Sequence, residues 1–287
     1  MLLITLTACN AESRKEKTVT TVPSRVQESA TVSKEMEYEM QKTEFFRDNM
    51  KIAAELFIPE AEEPMPLVIL SHGFGANGAS LTGFAQNFAM NGIAACTFDF
   101  IGGGKNIKSE GKTTEMSVLT EASDLEVILY ELRSDSRFDP DKVFLFGESQ
   151  GGFVSTYVAG EHPGDVAGLI TLYPAYVISD DARRRVPDPK NIPETMEIMG
   201  VTLGSIYSRD AMAVDIYDEM KKYGKKVLII HGTKDSLVPI SYSERAIEMF
   251  PDAELIRVDG AEHGFGGDDA RNAAQISLEF VNGLLDY

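Results

Sequence analysis

The sequence predicts an α/β fold, in which a doubly wound, mostly parallel sheet carries helices on both faces. Short continuous apolar runs recur along the 287 residues, and runs of this length suit strands that are buried on both faces. Segments with helical periodicity separate these runs, and the alternation is typical of a doubly wound sheet. The length fits one large domain, which is predicted over residues 39–287.

The predicted elements follow one another in a regular order. A hairpin over 41–46 and 51–58, around the turn Asp48-Asn49, forms an antiparallel leading edge. Buried strands are then predicted over 67–70, 93–98, 143–146, 167–172, 227–230 and 254–258. Helices are predicted over 81–90, 118–132, 153–159, 242–249 and 270–285.

Residues 173–217 interrupt this alternation. They contain no buried-strand pattern, but they carry four prolines and a charged cluster at 180–185. A structureless loop of this size is improbable inside a compact domain. We therefore predict an inserted cap over about residues 174–215, between the sixth and seventh strands, above the C-terminal edge of the sheet.

The N-terminal region differs from the rest in composition. Residues 10–38 are rich in Ser, Thr, Lys and Glu, and they bury too little apolar surface to form a core, so they are predicted to be a disordered tether. Residues 1–9 end in Leu6-Thr7-Ala8-Cys9, which resembles the bacterial lipobox with its acylated cysteine. The segment lacks a basic region and is shorter than a usual signal. We expect an exported protein, lipid-anchored through Cys9 to the outer face of a bacterial membrane; the alternative is a cytoplasmic protein with an N-terminal tail.

Charge narrows the range of partners. The chain has 27 Lys and Arg against 45 Asp and Glu, a formal net charge of −18. Such a chain lacks the cationic surface that releases counterions from nucleic acid, so no nucleic-acid partner is expected. The N-terminal anchor is the only membrane contact expected. Two cysteines cannot build a disulfide framework, and Cys96, within an apolar run, is predicted to be a core residue.

One short motif indicates nucleophilic chemistry. Gly147-Glu148-Ser149-Gln150-Gly151-Gly152 follows the predicted strand 143–146 and opens the predicted helix 153–159. A serine between two glycines at a strand-to-helix turn is the nucleophile elbow G-x-S-x-G. The tight turn brings the residues on either side of the serine close together, which glycine tolerates because it has no Cβ. Ser149 is therefore the predicted nucleophile.

The nucleophile needs a base, and the chain has four histidines. His162 follows the elbow helix, on the side away from the carboxyl ends of the strands, where sites form. His72 precedes the serine, whereas the chain order expected with this motif is nucleophile, acid, histidine. Between His231 and His263, a loop after a strand carries Asp235. No carboxylate after a strand stands in the expected place between Ser149 and His231, so His231 is excluded as the base. Asp235 is therefore the predicted acid and His263 the predicted base.

Two backbone N–H groups are predicted to bind the carbonyl oxygen of a substrate. One belongs to Gln150, directly after the serine, and the other to Phe74, in a loop that follows a strand. Gly102-Gly103-Gly104-Lys105 lacks the spacing of a phosphate-binding loop, and no Cys/His or HExxH pattern indicates a metal. No cofactor and no metal are expected.

From about residue 66 to residue 265 the sequence resembles the α/β-hydrolase superfamily, and within it the cinnamoyl or feruloyl esterase-like branch of bacterial serine esterases. The resemblance is carried by His72-Gly73-Phe74, the elbow 147–152, Gly232-Thr233-Lys234-Asp235 and Glu262-His263-Gly264-Phe265. It implies a serine carboxylic-ester hydrolase without cofactor, whose cap shapes the acyl pocket. Glu148 departs from the branch, in which His or Leu commonly precedes the serine.

The function expected from these residues is hydrolysis of a small-molecule ester through an acyl-enzyme intermediate. Small or aromatic acyl esters are the expected substrates, with hydroxycinnamoyl (feruloyl) esters among them. Tyr176 and Tyr207 in the cap are candidate substrate contacts. Two alternatives stay open: a serine peptidase of the same superfamily, and a non-catalytic binding protein that has kept the fold.

Overall fold

The computed structural model describes residues 17–23, 35–62, 64–104 and 106–285. Its strands are β1 (Thr18–Pro23), β2 (Tyr38–Arg47), β3 (Met50–Pro59), β4 (Met65–Ser71), β5 (Ala94–Phe98), β6 (Phe138–Glu148), β7 (Gly168–Leu172), β8 (Thr195–Ile198), β9 (Val201–Gly204), β10 (Val227–Gly232) and β11 (Ala253–Asp259). Its α-helices are α1 (Thr82–Met90), α2 (Val118–Arg133), α3 (Gln150–Glu161), α4 (Ile178–Arg185), α5 (Ser205–Ala213), α6 (Ile216–Lys222), α7 (Ser241–Met249) and α8 (Gly267–Leu285).

The central sheet has nine strands in the order β1-β11-β10-β7-β6-β4-β5-β3-β2. Neighbouring strands are parallel except at one edge, where β3 pairs antiparallel with both β2 and β5. At the turn of the β2–β3 hairpin, Asp48 and Asn49 have φ of 51° and 66°, the left-handed pair that a two-residue hairpin turn requires. The predicted mostly parallel sheet and its edge hairpin are confirmed.

The central strands of the sheet are buried on both faces, as their continuous apolar runs predicted. In β4, Leu67 and Ile69 pack into the cluster that contains residues of α2, α3, α6 and α7. The alternate residues Val68 and Leu70 pack on the opposite face, against α1 and α8. Because successive side chains of a strand point to opposite faces, an unbroken apolar run is what such a two-sided core needs.

The first described strand corrects one prediction. The disordered tether expected over 10–38 is wrong for Thr18–Pro23, because β1 pairs in parallel with β11, with Val19 opposite Leu255 and Val22 opposite Val258. A run rich in Thr and Val suits an edge strand even where few large apolar residues are present. Cys9, like residues 10–16 and 24–34 of the expected tether, lies outside the described residues.

The interrupted region forms a structured insertion between β7 and β10, which we call the inserted segment (residues 173–226). It contains α4, the β8–β9 hairpin, α5 and α6. The hairpin packs in a small apolar cluster of its own with Met116 and Tyr207, and Phe74 lies against this cluster. The expectation that this stretch is not a structureless loop is therefore met. α4, the β8–β9 hairpin and α5 lie at the end of the sheet that carries Ser149. α6 packs on the C-terminal end of α3 instead, where Lys222 binds Glu161.

Candidate active site

Ser149 lies at the junction between β6 and α3, in a strained backbone conformation with φ 51° and ψ −116°. Two glycines make the turn possible. A Cβ on Gly147 would lie 2.3 Å from the carbonyl oxygen of Gly151, and a Cβ on Gly151 would lie 2.2 Å from that of Ser71. Any side chain at these glycines would therefore clash with backbone, which is the physical reason for the G-x-S-x-G spacing.

Ser149, His263 and Asp235 form one hydrogen-bonded chain. The Nε2 atom of His263 lies 2.9 Å from the hydroxyl oxygen of Ser149. The Nδ1 atom of the same ring lies 2.7 Å from Oδ2 of Asp235. Since a carboxylate can only accept, Nδ1 carries the proton and Nε2 is left to accept one from the serine. The structure thus brings together the three residues that the sequence predicted as a unit.

Asp235 is held by four hydrogen bonds in the loop after β10. Its Oδ1 atom accepts from the backbone N–H groups of Leu237 and Val238, at 2.9 and 2.8 Å. Its Oδ2 atom accepts from His263 at 2.7 Å and from His231 at 3.1 Å. Burial acts to raise the pKa of Asp235, but the hydrogen bonds from the two histidines and from Val238 outweigh it and hold the pKa below its usual range. The carboxylate is therefore ionised at neutral pH.

His231 was excluded as the base, and the structure assigns it a different position. Its ring is fully buried, with Nε2 facing both Oδ2 of Asp235 and, at 3.0 Å, the carbonyl oxygen of Val238. The Nδ1 atom lies 2.7 Å from the hydroxyl of Ser243. Two acceptors at Nε2 place the proton there, so Ser243 donates to Nδ1. A histidine at a strand end, four residues before the acid, was the sequence signal for this contact.

The predicted carbonyl-binding donors, Phe74 and Gln150, line the same pocket as Ser149. As the first residue of α3, Gln150 has an N–H group without an intrahelical acceptor. The loop of Phe74 is fixed by His72, whose Nδ1 donates to the carbonyl of Gly73 at 2.8 Å and whose Nε2 accepts from the N–H of Phe100 at 3.2 Å. Burial lowers the pKa of His72, so this ring stays neutral and structural.

Two further contacts near the serine were not predicted. The hydroxyl of Tyr173 donates to Oε2 of Glu148 at 2.9 Å, and the Tyr173 ring packs edge-on against the His263 ring at a centroid distance of 4.9 Å. The other oxygen of Glu148 accepts from the N–H of Gly73 at 3.3 Å and from the Ser80 hydroxyl at 3.0 Å. Glu148, the departure from the resembled branch, therefore links the Phe74 loop to the residue that supports His263.

The side chain of Gln150 connects the elbow to the inserted segment. Its amide nitrogen donates to Oε2 of Glu121 at 2.7 Å, and its amide oxygen accepts from the hydroxyl of Tyr207 at 2.6 Å. All three side chains are buried. Burial raises the pKa of Glu121 well above its ordinary value.

The pocket beside Ser149 has a volume of about 120 Å³. It is mostly apolar, and the inserted segment supplies a large part of its wall. Its lining residues are Phe74, Ser149, Gln150, Ala175, Val177, Ile178, Asp181, Arg185, Ile198, Met199, Tyr207, Leu237 and Val238.

Of the two tyrosines predicted to contact the substrate, Tyr207 lines this pocket and Tyr176 does not. Tyr176 is buried, with its hydroxyl 2.9 Å from that of Thr156. Its ring lies near that of Tyr217 instead. The structure therefore places Tyr176 in the core. His162, which was excluded from the site, binds Glu126 at 3.2 Å, away from the serine.

The sheet topology and the Ser149–His263–Asp235 chain define a serine hydrolase of the α/β-hydrolase fold. This chain belongs to the Hydrolase_4 family, described as serine aminopeptidase, S33, which matches residues 62–219. The fold resembles the structure of Est1E from Butyrivibrio proteoclasticus with bound ferulic acid, with a TM-score of 0.79 and 25% identity over 85% of this chain and 100% of that one.

Two curated relatives extend the comparison. The monoglyceride lipase of Saccharomyces cerevisiae is 25% identical over 243 residues, which cover 68% of this chain and 76% of the relative. The quorum-quenching protein AidA of Acinetobacter baumannii is 30% identical over 111 residues, which cover 38% of this chain and 36% of AidA. The esterase and lipase names among the relatives agree with the predicted enzyme class, a carboxylic-ester hydrolase.

Proposed function

We propose that the protein hydrolyses carboxylic esters through an acyl-enzyme intermediate on Ser149. The observation that carries the proposal is the unbroken chain from the Ser149 hydroxyl through His263 to Asp235, with distances of 2.9 and 2.7 Å, at the wall of an apolar pocket. Each distance is a normal hydrogen bond, so the serine proton can move to the imidazole without rearrangement.

The geometry supports a two-step reaction. The Nε2 atom of His263 takes the proton of Ser149 while the serine oxygen bonds to the ester carbonyl carbon. The N–H groups of Phe74 and Gln150 then bind the carbonyl oxygen as it becomes negative. The protonated imidazole gives its proton to the leaving alcohol as the ester C–O bond breaks. A water molecule, activated by the same imidazole, releases the acid and restores the serine.

Asp235 acts without changing its protonation state. Its hydrogen bond to Nδ1 selects the tautomer of His263 that has a free Nε2, and its negative charge stabilises the imidazolium formed during the reaction. The low pKa of Asp235 keeps that charge in place.

Pocket size and lining support a small or aromatic acyl group. The rings of Phe74 and Tyr207 meet edge-on at a centroid distance of 5.9 Å in the pocket wall, and aromatic walls of this kind favour a flat acyl group. A cavity of about 120 Å³ is too small to hold a long acyl chain. Est1E, whose structure holds ferulic acid, offers a precedent for a hydroxycinnamoyl group. In this proposal the inserted segment is the cap that selects the acyl group.

A peptidase is the second candidate, because the family description names a serine aminopeptidase. An aminopeptidase needs an anion for the free amine of its substrate. The carboxylate that lines the pocket, Asp181, is already paired with Arg184 and Arg185, at 2.5 and 3.1 Å. Two guanidinium groups on one carboxylate leave net positive charge, which repels the ammonium group of an aminopeptidase substrate, so this wall favours the esterase over the peptidase.

A panel of acetyl, butyryl, octanoyl and feruloyl esters, run beside aminoacyl-naphthylamides, tests the proposal. We expect ester hydrolysis, with octanoyl the poorest ester, and little amide hydrolysis. Ser149→Ala should lower kcat by about 10⁶. Ser134→Ala, a change of a surface serine that binds the carbonyl of Tyr130 at 2.9 Å, is the matched control and should leave the rate unchanged. Faster hydrolysis of the naphthylamides, or activity that survives Ser149→Ala, would reject the esterase.

Attachment to a membrane through Cys9 stays a prediction. No helix within the described ranges is long and apolar enough to cross a bilayer. Expression of the full chain in a bacterial host, followed by detergent-phase partition, tests it. We expect the wild type in the detergent phase and Cys9→Ser in the aqueous phase. Cys96→Ala, which changes the buried cysteine, should partition like the wild type.

A further inference from the structure

A cluster of opposite charges lies on α4, at the wall of the pocket that contains Ser149. Asp181 and Arg185, four residues apart, both line the pocket. The Nη2 atom of Arg185 lies 3.1 Å from Oδ2 of Asp181, and the neighbouring Arg184 binds the other oxygen of the same carboxylate at 2.5 Å. Arg184 does not line the pocket. One carboxylate therefore neutralises only one of two guanidinium groups, and positive charge is left over.

Arg185 is accessible to a ligand from the pocket. Its side chain is 41% exposed, against 27% for Asp181. Exposed ion pairs of this kind are weak, because water screens them and two flexible side chains must be ordered. A guanidinium carries five N–H donors in a planar fork, and the Asp181 contact is made through Nη2. The guanidinium can therefore donate hydrogen bonds to a second anion while it keeps its contact with Asp181.

The surroundings of Arg185 make its charge unusual. The chain as a whole has a net charge of −18, so its general field repels anions. Most other lining residues are apolar, and apolar walls strengthen a local charge.

We propose that Arg185 binds a carboxylate on the substrate, so that the preferred esters carry a second, ionised carboxyl group. This inference rests on the proposed esterase function and names its substrate class. Ser149 and Arg185 both line the cavity of about 120 Å³, so one small molecule in it can contact both. The carboxylate would form paired, charge-assisted hydrogen bonds with the planar guanidinium.

Matched ester pairs test the proposal and separate two positions for the carboxylate. In the first pair, 4-nitrophenyl hydrogen adipate is compared with 4-nitrophenyl methyl adipate, so the charge is on the acyl group. In the second pair, 3-acetoxybenzoate is compared with its methyl ester, so the charge is on the leaving group. Rates are corrected with Ser149→Ala. We expect the wild type to prefer the anionic member of at least one pair by about tenfold to a hundredfold in kcat/KM, the range of a hydrogen bond between charged groups.

Two neighbouring arginines provide the variant and its control. Arg185→Gln should abolish the charge preference, mainly through a higher KM for the anionic ester, and Arg185→Lys should restore part of it, because a lysine keeps the charge but lacks the fork. Arg184→Gln removes a charge outside the pocket, on the adjacent residue that shares Asp181 with Arg185. Because Asp181 then neutralises Arg185 more fully, this variant should reduce the preference but not abolish it.

The outcomes distinguish this proposal from the one on which it rests. If the neutral esters are hydrolysed but neither anionic member is preferred, the carboxylate site is wrong and the esterase stands. A preference that survives Arg185→Gln, or that Arg184→Gln abolishes equally, also overturns the site. If no ester of either pair is hydrolysed above the Ser149→Ala background, the esterase proposal fails and the substrate class fails with it.

Discussion

The triad and the inserted segment face the same pocket but are built in different ways. Asp235 is buried, and backbone N–H groups and two histidines occupy both of its oxygens. Asp181, on α4 of the inserted segment, is partly exposed and is held by two flexible arginines. The first carboxylate has one fixed geometry, whereas the second can exchange partners. We infer that the sheet-borne loops determine the chemistry and that the inserted segment determines which ester is used.

After the loss of the serine itself, the largest effect is expected at the acid of the triad. Asp235→Asn should lower kcat by about 10⁴ for every ester, because an amide stabilises the wrong tautomer of His263. The control is Asp259→Asn, which should have little effect. Within the described part of the chain, the Asp259 carboxylate accepts a hydrogen bond from the Thr233 hydroxyl and does not contact the triad. If the loss of kcat differed strongly between acetyl and feruloyl esters, Asp235 would also affect the choice of ester, which would contradict the inference that the inserted segment determines it.

A smaller, general loss is expected when the buried partner of Asp235 is changed. His231→Gln removes a donor to a charged group, a change that costs about 1.5–3 kcal/mol, and kcat should fall by about tenfold to a hundredfold. The hydrogen bond from His231 helps to depress the pKa of Asp235, so without it the carboxylate is more basic and stabilises the imidazolium form of its partner more strongly. The acidic limb of the kcat/KM profile should therefore move to higher pH.

The control for His231 lies one hydrogen bond further away. Ser243→Ala removes the donor to Nδ1 of His231 but leaves Asp235 its four hydrogen bonds, so its acidic limb should stay close to that of the wild type. If His231→Gln lowers only the free energy of unfolding, while the pH profile keeps its shape, His231 has no role in positioning the acid.

In the inserted segment, substitutions should change preference rather than the overall rate. Tyr207→Ala removes the ring that meets Phe74 and should lower kcat/KM for feruloyl esters about three- to tenfold more than for acetyl esters, the range of an aromatic pair. Tyr207→Phe keeps the ring and should keep the preference. An equal loss for both esters in Tyr207→Ala would show that the residue supports Gln150 alone.

The smallest effect on activity is expected at Glu121, behind the elbow. Because the pKa of Glu121 is raised in the folded state, the folded protein is most stable while this carboxyl is protonated. The free energy of unfolding therefore falls as the pH rises above the pKa of a glutamate in the unfolded chain. Glu121→Gln should remove that decline, so the variant gains about 1 kcal/mol or more over the wild type at pH 8 and little at pH 4. Urea unfolding at both pH values measures it, and equal stability curves at both would contradict the assignment.

Much of the sheet and the triad could be predicted, because their physical requirements are local in sequence. A strand buried on both faces needs an unbroken apolar run, and the elbow needs glycine at 147 and 151. β1 was missed, since its pairing depends on the edge of β11, more than 200 residues away.

The inserted segment shows where such local signals end. α4 has the sequence ISDDARRR, so it lacks a broad apolar face that periodicity could detect. The sequence around Tyr176 and Tyr207 does not show which of them contacts the pocket. Only the packing in the structure shows that Tyr176 lies in the core and Tyr207 in the pocket wall. The contact between His231 and Asp235 depends on how the loop after β10 folds back on the strand end.

Covalent labelling of the serine tests the central claim most directly. The purified protein is treated with a fluorophosphonate, digested and sequenced by mass spectrometry. We predict one adduct per chain, on the hydroxyl of Ser149, formed much more slowly in His263→Ala because the base is then missing. Labelling of another residue, or labelling of Ser149 at the same rate without His263, would contradict a proton transfer from this serine to this imidazole.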